Sequence, residues 1–180
     1  NGIAAIVNSK IITKEDVESF KGMELMSLMN QRRRAGTRAM DASWDQREME
    51  IKQRGLEELI ERERTRGVAG ANIVLAGFSQ GGAIVLAAGV RHAQALAGII
   101  ALSTYLPLHE TFPREAAPES LSVPIFMGHG RFDPVVPESL GVMSRDWLKS
   151  AGCPVEWHSY PMPHSVCAEE IRDLSQWLEA

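Results

Sequence analysis

Short apolar runs alternate with helix-length segments through the second half of the chain. Four of the runs are long enough to form strands: Asn72–Phe78, Leu96–Ser103, Val123–Gly130 and Val155–Tyr160. Helical patterns lie between and after them, at about 80–93, 137–150 and 165–178. Near-continuous apolar strands that alternate with helices are typical of a parallel sheet covered on both faces. The pattern therefore predicts an α/β fold whose four C-terminal strands form such a sheet.

The first part of the chain has a different pattern. Two β-prone runs, Ile3–Val7 and Ile11–Ile12, predict a small hairpin. Two helices are predicted to follow it, at about 14–34 and 44–66, and the second carries an apolar face that another part of the protein must cover. We expect the boundary between this segment and the sheet to fall within residues 60–71.

Composition and charge exclude several classes of protein. The chain has 180 residues, of which 44% are hydrophobic, so it can bury a sizeable core. Its 19 basic and 23 acidic side chains give a formal charge of -4, which provides no general attraction to nucleic acid or to an anionic membrane. The mixed-sign stretch Arg47–Arg66 is typical of a solvated helix face. No apolar run approaches the roughly 18 to 20 residues of a membrane span, and Cys153 and Cys167 are expected to be free thiols.

A serine lies at the junction between the first of the four strands and the helix that follows. Ser79 is the central residue of "GFSQG", and a G-x-S-x-G between a strand and a helix is typical of a nucleophile elbow. In such an elbow the serine adopts a strained backbone conformation, while small neighbours allow the strand and the helix to approach closely. The alternative is a polar residue in a glycine-rich turn. The helix starting at Gln80 would direct its N-terminal N–H groups towards a reacting carbonyl.

A serine nucleophile requires a base and an acid that orients the base, and both residue types occur after later strands. Asp133 follows the third strand and His164 the fourth, which gives the chain order Ser, Asp, His expected of α/β-hydrolases. Each would leave its strand at the carboxyl end, where open α/β sheets build their sites. Taken alone, Asp133 is typical of a turn and His164 of a helix cap. His129 is the alternative base, although it lies on the strand and precedes the acid.

Four motifs occur in a characteristic order: "GFSQGGA", "LAGIIALSTYLP", "PIFMGHGRFDPVVP" and "YPMPHSV". Through them the chain from about Arg64 onwards resembles the acyl-protein thioesterase and carboxylesterase (phospholipase/carboxylesterase) family of α/β-hydrolases. The resemblance implies that Ser79 is the nucleophile, His164 the general base and Asp133 its partner. It also implies hydrolysis of carboxylic esters or thioesters, without a cofactor or a metal, in the cytoplasm.

The resemblance further implies where a substrate would lie. The acyl chain of a small-molecule or acyl-protein ester would follow an apolar groove, partly formed by the segment after the second strand, with Tyr105 and Leu106 as substrate-binding residues. The N–H of Gln80 would be one donor of the oxyanion hole. Members of the family supply the second donor from a loop with a His-Gly dipeptide, but no histidine precedes Ser79 in this sequence.

The front segment resembles another class of protein. Residues 1–63 are similar to the start of SurA-type periplasmic peptidyl-prolyl isomerase chaperones, in which a small hairpin leads into helices. We therefore predict a chimera: a chaperone-like segment, 1–63, joined within one continuous helix to the C-terminal part of a hydrolase, 64–180. The alternative function is a chaperone-like binding module with little or no catalysis, and the alternative compartment is the periplasm.

A truncated hydrolase sheet would leave one edge of the strand ending at Phe78 without its usual neighbour. An exposed apolar edge invites pairing with another strand. Either the hairpin at 3–12 covers this edge, or two molecules associate through it as a homodimer.

Overall fold

A computed structural model of the chain describes residues 3–7, 10–35 and 42–180. Its centre is a six-stranded sheet with the spatial order β2-β1-β3-β4-β5-β6. The strands are β1 (Ile3–Val7), β2 (Lys10–Thr13), β3 (Ile73–Phe78), β4 (Gly98–Leu102), β5 (Ile125–Gly130) and β6 (Val155–Tyr160). The helices are α1 (Lys14–Phe20), α2 (Gly22–Ala35), α3 (Ala42–Thr65), α4 (Gln80–Gly89), α5 (Phe112–Glu115), α6 (Glu138–Ser150) and α7 (Ala168–Glu179). Short 3-10 turns lie at Gly70–Asn72 and Pro118–Ser122.

The four C-terminal strands form the predicted parallel sheet. β3 to β6 pair in sequence order and all run in one direction, which confirms the α/β prediction. In the register Phe78 pairs with Leu102, and Leu102 pairs with Gly128. The carboxyl ends of β3, β4 and β5 therefore reach the same edge of the sheet. The loops that leave this edge carry the candidate site residues.

The hairpin is part of this sheet. β1 runs antiparallel to β3, with Ile6 opposite Val74 and Val7 opposite Ile73. The edge predicted to lack a neighbour is thus covered by the first strand of the chain, and β2 is the outermost strand on that side. The polar residues predicted to form the hairpin turn, Asn8 and Ser9, fall outside the described residues.

The first predicted helix is divided into two. α1 ends at Phe20 and α2 begins at Gly22, with Lys21 between them. Glycine is a weak helix former, and the Lys21 side chain turns onto α3, where its Nζ lies 2.5 Å from Oε1 of Glu58. The division is slight, because the Lys21 N–H donates to the carbonyl of Val17 and the Lys21 carbonyl accepts from the N–H of Leu25, as in a continuous helix.

Both faces of the sheet are covered. On one face the main core joins the front helices to the hydrolase segment, since Val17 of α1 and Leu56 and Ile60 of α3 belong to the same buried cluster as Leu75 and Ile84. On the other face, a smaller cluster around Phe126 packs against α7. That residues 1–63 and 64–180 are separate segments stays a prediction. In the structure, side chains from both segments belong to one buried core.

The mixed-sign face of α3 differs from the expected solvated face. Lys52 is only 2% exposed, Glu63 is buried beside Arg66, and Gln53 is buried as well. The prediction of a solvated surface is therefore wrong for these three residues, because α3 packs between α1 and α4 instead of lying on the outside.

The methionines of α2 face outwards. Met23 is 88% exposed, and Met26 and Met29 are also mostly exposed. Within the residues that the structure describes, none of the helices combines the length and the apolar character that a bilayer span requires.

Candidate active site

Ser79 lies at the turn between β3 and α4, in a strained conformation. Its φ of 55° and ψ of -122° are values that a residue with a side chain rarely adopts. The strand and the helix meet at glycines: a Cβ atom on Gly77 would overlap the backbone of Gly81 and lie 2.5 Å from the nitrogen of Gly82. The turn therefore has the backbone strain and the close contact between strand and helix that are expected of a nucleophile elbow.

The elbow is attached to the end of β4 from both sides of Ser79. The Ser79 N–H donates to the carbonyl oxygen of Leu102 at 2.9 Å. The Ser79 carbonyl accepts from Oγ1 of Thr104 at 2.7 Å, and Thr104 is buried. Thr104 was not among the predicted site residues. Its only sequence signal is a hydroxyl in the segment directly after the second apolar run, which a surface loop would also show.

His164 and Asp133 meet at the same edge of the sheet. Nδ1 of His164 lies 2.6 Å from Oδ2 of Asp133. The other carboxylate oxygen, Oδ1, accepts the N–H groups of Val135 and Val136, each at 2.8 Å. Burial alone would raise the pKa of Asp133, but the hydrogen bond from His164 and those from the two backbone N–H groups outweigh it and hold the pKa below its usual range. The carboxylate is thus kept ionised beside the imidazole.

The alternative base, His129, lies behind this carboxylate. It is 1% exposed, and its Nε2 is 2.9 Å from the carbonyl oxygen of Val136 and 3.6 Å from Oδ2 of Asp133. His164, in contrast, is partly exposed, and its ring centroid lies 4.7 Å from that of Phe78, the residue before Ser79. Of the two histidines, only His164 is both bonded to the carboxylate and next to the elbow.

A cavity of about 360 Å³ opens at Ser79. One wall comes from the loop after β4 and another from α3; the lining residues are Asp45, Gln46, Glu48, Met49, Ser79, Gln80, Tyr105, Pro107, Leu108 and Val136. Tyr105 thus lines the same cavity as Ser79, and its role in substrate binding stays a prediction. The prediction for Leu106 is corrected: its side chain is 1% exposed and belongs to the main core, and its N–H donates to Oγ of Ser144 on α6 at 2.8 Å. Pro107 and Leu108 line the cavity in its place.

Gln80 is the first residue of α4, so its N–H has no acceptor within the helix. This N–H belongs to the peptide that directly follows Ser79, and the helix dipole makes the position favourable for negative charge. A hydroxyl on a strained turn, an imidazole oriented by a carboxylate and a backbone donor at a helix N-terminus are the groups that acyl transfer through a serine requires.

The chain is similar to proteins of known name. Acyl-protein thioesterase 1 of Mycosarcoma maydis is 46% identical over 112 residues, which cover 59% of this chain and 47% of that protein. Acyl-protein thioesterase 1 of Neurospora crassa is 46% identical over 125 residues, or 67% of this chain and 51% of that protein. Among solved structures, SOBER1 of Arabidopsis thaliana superposes with a TM-score of 0.70 at 26% identity, covering 73% of this chain and 63% of the other. The chain therefore spans about half the length of the thioesterases that it matches.

The sequence profile of one family covers nearly the whole chain. It matches residues 15–180, so it includes α1 to α3 as well as the segment that carries Ser79, Asp133 and His164. The similarity of residues 1–63 to chaperones stays a prediction, and only the hairpin lies outside the match. On the strength of this match, the chain belongs to the phospholipase/carboxylesterase family of α/β-hydrolases.

Proposed function

We propose that the protein is a serine hydrolase that cleaves carboxylic esters or thioesters through an acyl-enzyme on Ser79. The observation that carries this proposal is the hydrogen bond between His164 and Asp133 at the sheet edge where Ser79 forms a strained elbow. The solved relatives SOBER1 and esterase PE8 each superpose on 73% of this chain, and the second is an esterase by name. Their similarity supports the same class of reaction here.

The proposed proton transfers have a direction that the His164–Asp133 bond supports. Because Nδ1 of His164 is bonded to Asp133, Nε2 is the nitrogen left to take the proton of Ser79. The Ser79 oxygen then attacks the carbonyl carbon, and the tetrahedral intermediate collapses as Nε2 returns the proton to the leaving alcohol or thiol. Water activated by the same nitrogen hydrolyses the acyl-enzyme, which releases the acid and restores Ser79.

The oxyanion would be stabilised by the N–H of Gln80. Removal of one oxyanion donor typically lowers turnover by ~10² to 10³, and we propose that the Gln80 N–H contributes on this scale.

The cavity indicates the substrate class. Tyr105, Pro107 and Leu108 provide an apolar side next to Ser79, which suits the acyl part of an ester or thioester. The named relatives are acyl-protein thioesterases, so small-molecule esters and acyl-proteins are both proposed as substrates. Comparing p-nitrophenyl butyrate with a butyryl thioester would decide between the two bond types.

The decisive experiment changes the nucleophile. Ser79→Ala should abolish the hydrolysis of p-nitrophenyl butyrate and the labelling by a fluorophosphonate probe. Ser175→Ala is the matched control, because this hydroxyl on α7 is exposed and donates to the carbonyl of Ile171 on the same helix. Labelling that persists in Ser79→Ala would refute the assignment. An unlabelled but folded native protein would favour the alternative, a binding module whose exposed α2 methionines contact other proteins.

Origin, assembly and compartment are part of the same proposal. A chaperone-like origin stays our proposal for residues 1–63, although the family match includes residues 15–63 of that segment. A homodimer through the sheet edge would now use β2, because β1 occupies the edge of β3. Sedimentation analysis that shows only monomers would exclude the dimer.

The cytoplasm, implied by the resemblance of the hydrolase segment, is the proposed compartment, and fractionation of expressing cells tests it.

A further inference from the structure

A lysine is buried in the middle of α3, close to the elbow. Lys52 is 2% exposed, and its ammonium nitrogen has three oxygen partners from three different elements. Oε1 of Glu48, one turn earlier on α3, lies at 2.6 Å, and Oε1 of Glu18 on α1 lies at 3.0 Å. The third partner is Oε1 of Gln80, the first residue of α4, at 3.1 Å.

This set of contacts satisfies the ammonium group completely. An ammonium has three N–H donors, and a buried charge is tolerated only when it is paired and hydrogen-bonded. The two glutamates would be enough to neutralise Lys52. The contact with Gln80 is a different kind of interaction, because it connects the front helices to the residue that directly follows the proposed nucleophile.

We propose that Lys52 is a positioning residue for the oxyanion donor, an inference that rests on the proposed function. The Gln80 side chain is exposed to the cavity and would otherwise be free to rotate. By donating to its amide oxygen, Lys52 fixes the Gln80 side chain and adds, on the N–H side, to the hold that Thr104 has on the carbonyl of the same Ser79–Gln80 peptide. That peptide carries the N–H on which the oxyanion depends. In a site with one identified donor, small errors in its direction affect turnover strongly.

Lys52 also controls the charge beside the cavity. Glu48 lines the same cavity as Ser79, and its carboxylate is held by Lys52. Without the ammonium, the carboxylates of Glu18 and Glu48 would be two like charges near the point where the tetrahedral intermediate becomes negative. Their repulsion would raise the energy of that intermediate more than the energy of the neutral bound ester.

Lys52→Met tests the proposal, because it keeps an unbranched side chain only one atom shorter and removes the ammonium group. We expect kcat for p-nitrophenyl butyrate to fall by ~10 to 10², with KM changed by less than about threefold. The matched control is Lys21→Met. Lys21 is also buried on the front helices and also pairs with two glutamates, Glu24 and Glu58; within the described residues, the ion pairs of these glutamates are with Lys21 and Arg54 and do not include α4. The control should lose similar thermal stability while keeping kcat.

A second variant keeps the proposal testable if Lys52→Met folds poorly. Gln80→Ala removes the exposed side chain that Lys52 holds and retains the backbone N–H, so it should lower kcat by a similar factor. In the double variant the two losses should not multiply, since both changes remove the same contact.

Three outcomes would overturn the inference. These are equal kcat losses in Lys52→Met and Lys21→Met, an unchanged kcat in Gln80→Ala, or losses that multiply in the double variant. Each leaves the proposed function standing as long as the unmodified protein hydrolyses the ester through Ser79. Absence of turnover and of fluorophosphonate labelling in the unmodified protein would overturn both.

Discussion

Nδ1 of His164 and Oδ2 of Asp133 are 2.6 Å apart, and the second oxygen of the same carboxylate is held by two backbone N–H groups. Asp133 is thus fixed through both oxygens, on one side by its own loop and on the other by the imidazole. The orientation of His164 follows from the backbone of the loop after β5, so a change in that carboxylate should affect the base without touching Ser79.

Asp133→Asn should lower kcat by roughly 10³ to 10⁴, because an amide would favour the wrong tautomer of His164. The isosteric change leaves packing intact, so the protein should stay folded. Ester hydrolysis together with circular dichroism would check this expectation. Asp146→Asn is the control, since this exposed carboxylate pairs only with Arg145 on the same helix. A loss of less than tenfold in Asp133→Asn would mean that the carboxylate does not orient the base.

Gly77→Ala should destabilise the fold and abolish activity. The added methyl group would overlap the backbone of Gly81, which cannot move without separating β3 from α4. Overpacking of this kind typically costs about 1 to 3 kcal/mol, and contact with backbone should be at the upper end. Urea unfolding measures the loss. Gly22→Ala is the matched control: a Cβ there meets nothing within 4 Å, so its free energy of unfolding should stay equal or rise slightly.

Glu170→Gln should remove a pH dependence of stability. Glu170 is fully buried on α7, and among the described residues neither of its carboxyl oxygens has a hydrogen-bond partner. Burial, followed by the charge of Asp173, raises its pKa from 4.5 to about 7. Below pH 4.5 the group is protonated in both states; as the pH rises to about 7, the unfolded chain loses the proton first and stability falls, by about 3 kcal/mol in total.

In Glu170→Gln the free energy of unfolding should therefore be higher than in the native protein at pH 8, while the difference should shrink towards pH 4.5. Urea titrations at several pH values between 4.5 and 8 measure the free energy of unfolding of both proteins. Glu169→Gln, one residue away and exposed, should leave the pH profile unchanged. The same slope in native and Glu170→Gln protein would show that the buried carboxyl is ionised in the folded state.

Leu56→Ala should destabilise the whole protein by about 2 to 5 kcal/mol, the usual range for a buried leucine. Leu56 of α3 is completely buried against the sheet's main core, so the front helices and the hydrolase segment should unfold together in one transition. Met26→Ala on the exposed surface of α2 should have little effect. Two separate transitions in denaturant would instead indicate that residues 1–63 fold independently.

The parallel sheet and the pairing of Asp133 with His164 were both predictable from the sequence. β6 has the predicted bounds, and the other three parallel strands differ from theirs by two residues at most. The reason is physical: buried parallel strands are apolar along their whole length, and their carboxyl ends must meet at one edge. Polar residues that directly follow different strands of such a sheet can therefore be predicted from the sequence to lie close together.

Sequence patterns did not predict the burial of Lys52 or the burial of Leu106, and they left the strand partner of the hairpin open. A lysine on a charged helix is expected at the surface, and only the packing of α3 between two other helices buries it. Leu106 has the same chemistry as its cavity-lining neighbours, and the turn of the loop decides which of them faces the core. The strand partner of β1 depends on contacts between distant segments, which local patterns do not encode.

The order of the strands also determines how the sheet can be assembled during synthesis. β3 to β6 lie side by side in the order in which they leave the ribosome, so each new strand can add to an edge that already exists. β1 is synthesised before β3 and cannot pair until β3 is present, and the segment with three helices between them must close a loop before the two strands can meet. Contacts between distant residues are slow to form, so we expect docking of the hairpin to be the late, rate-limiting step of folding.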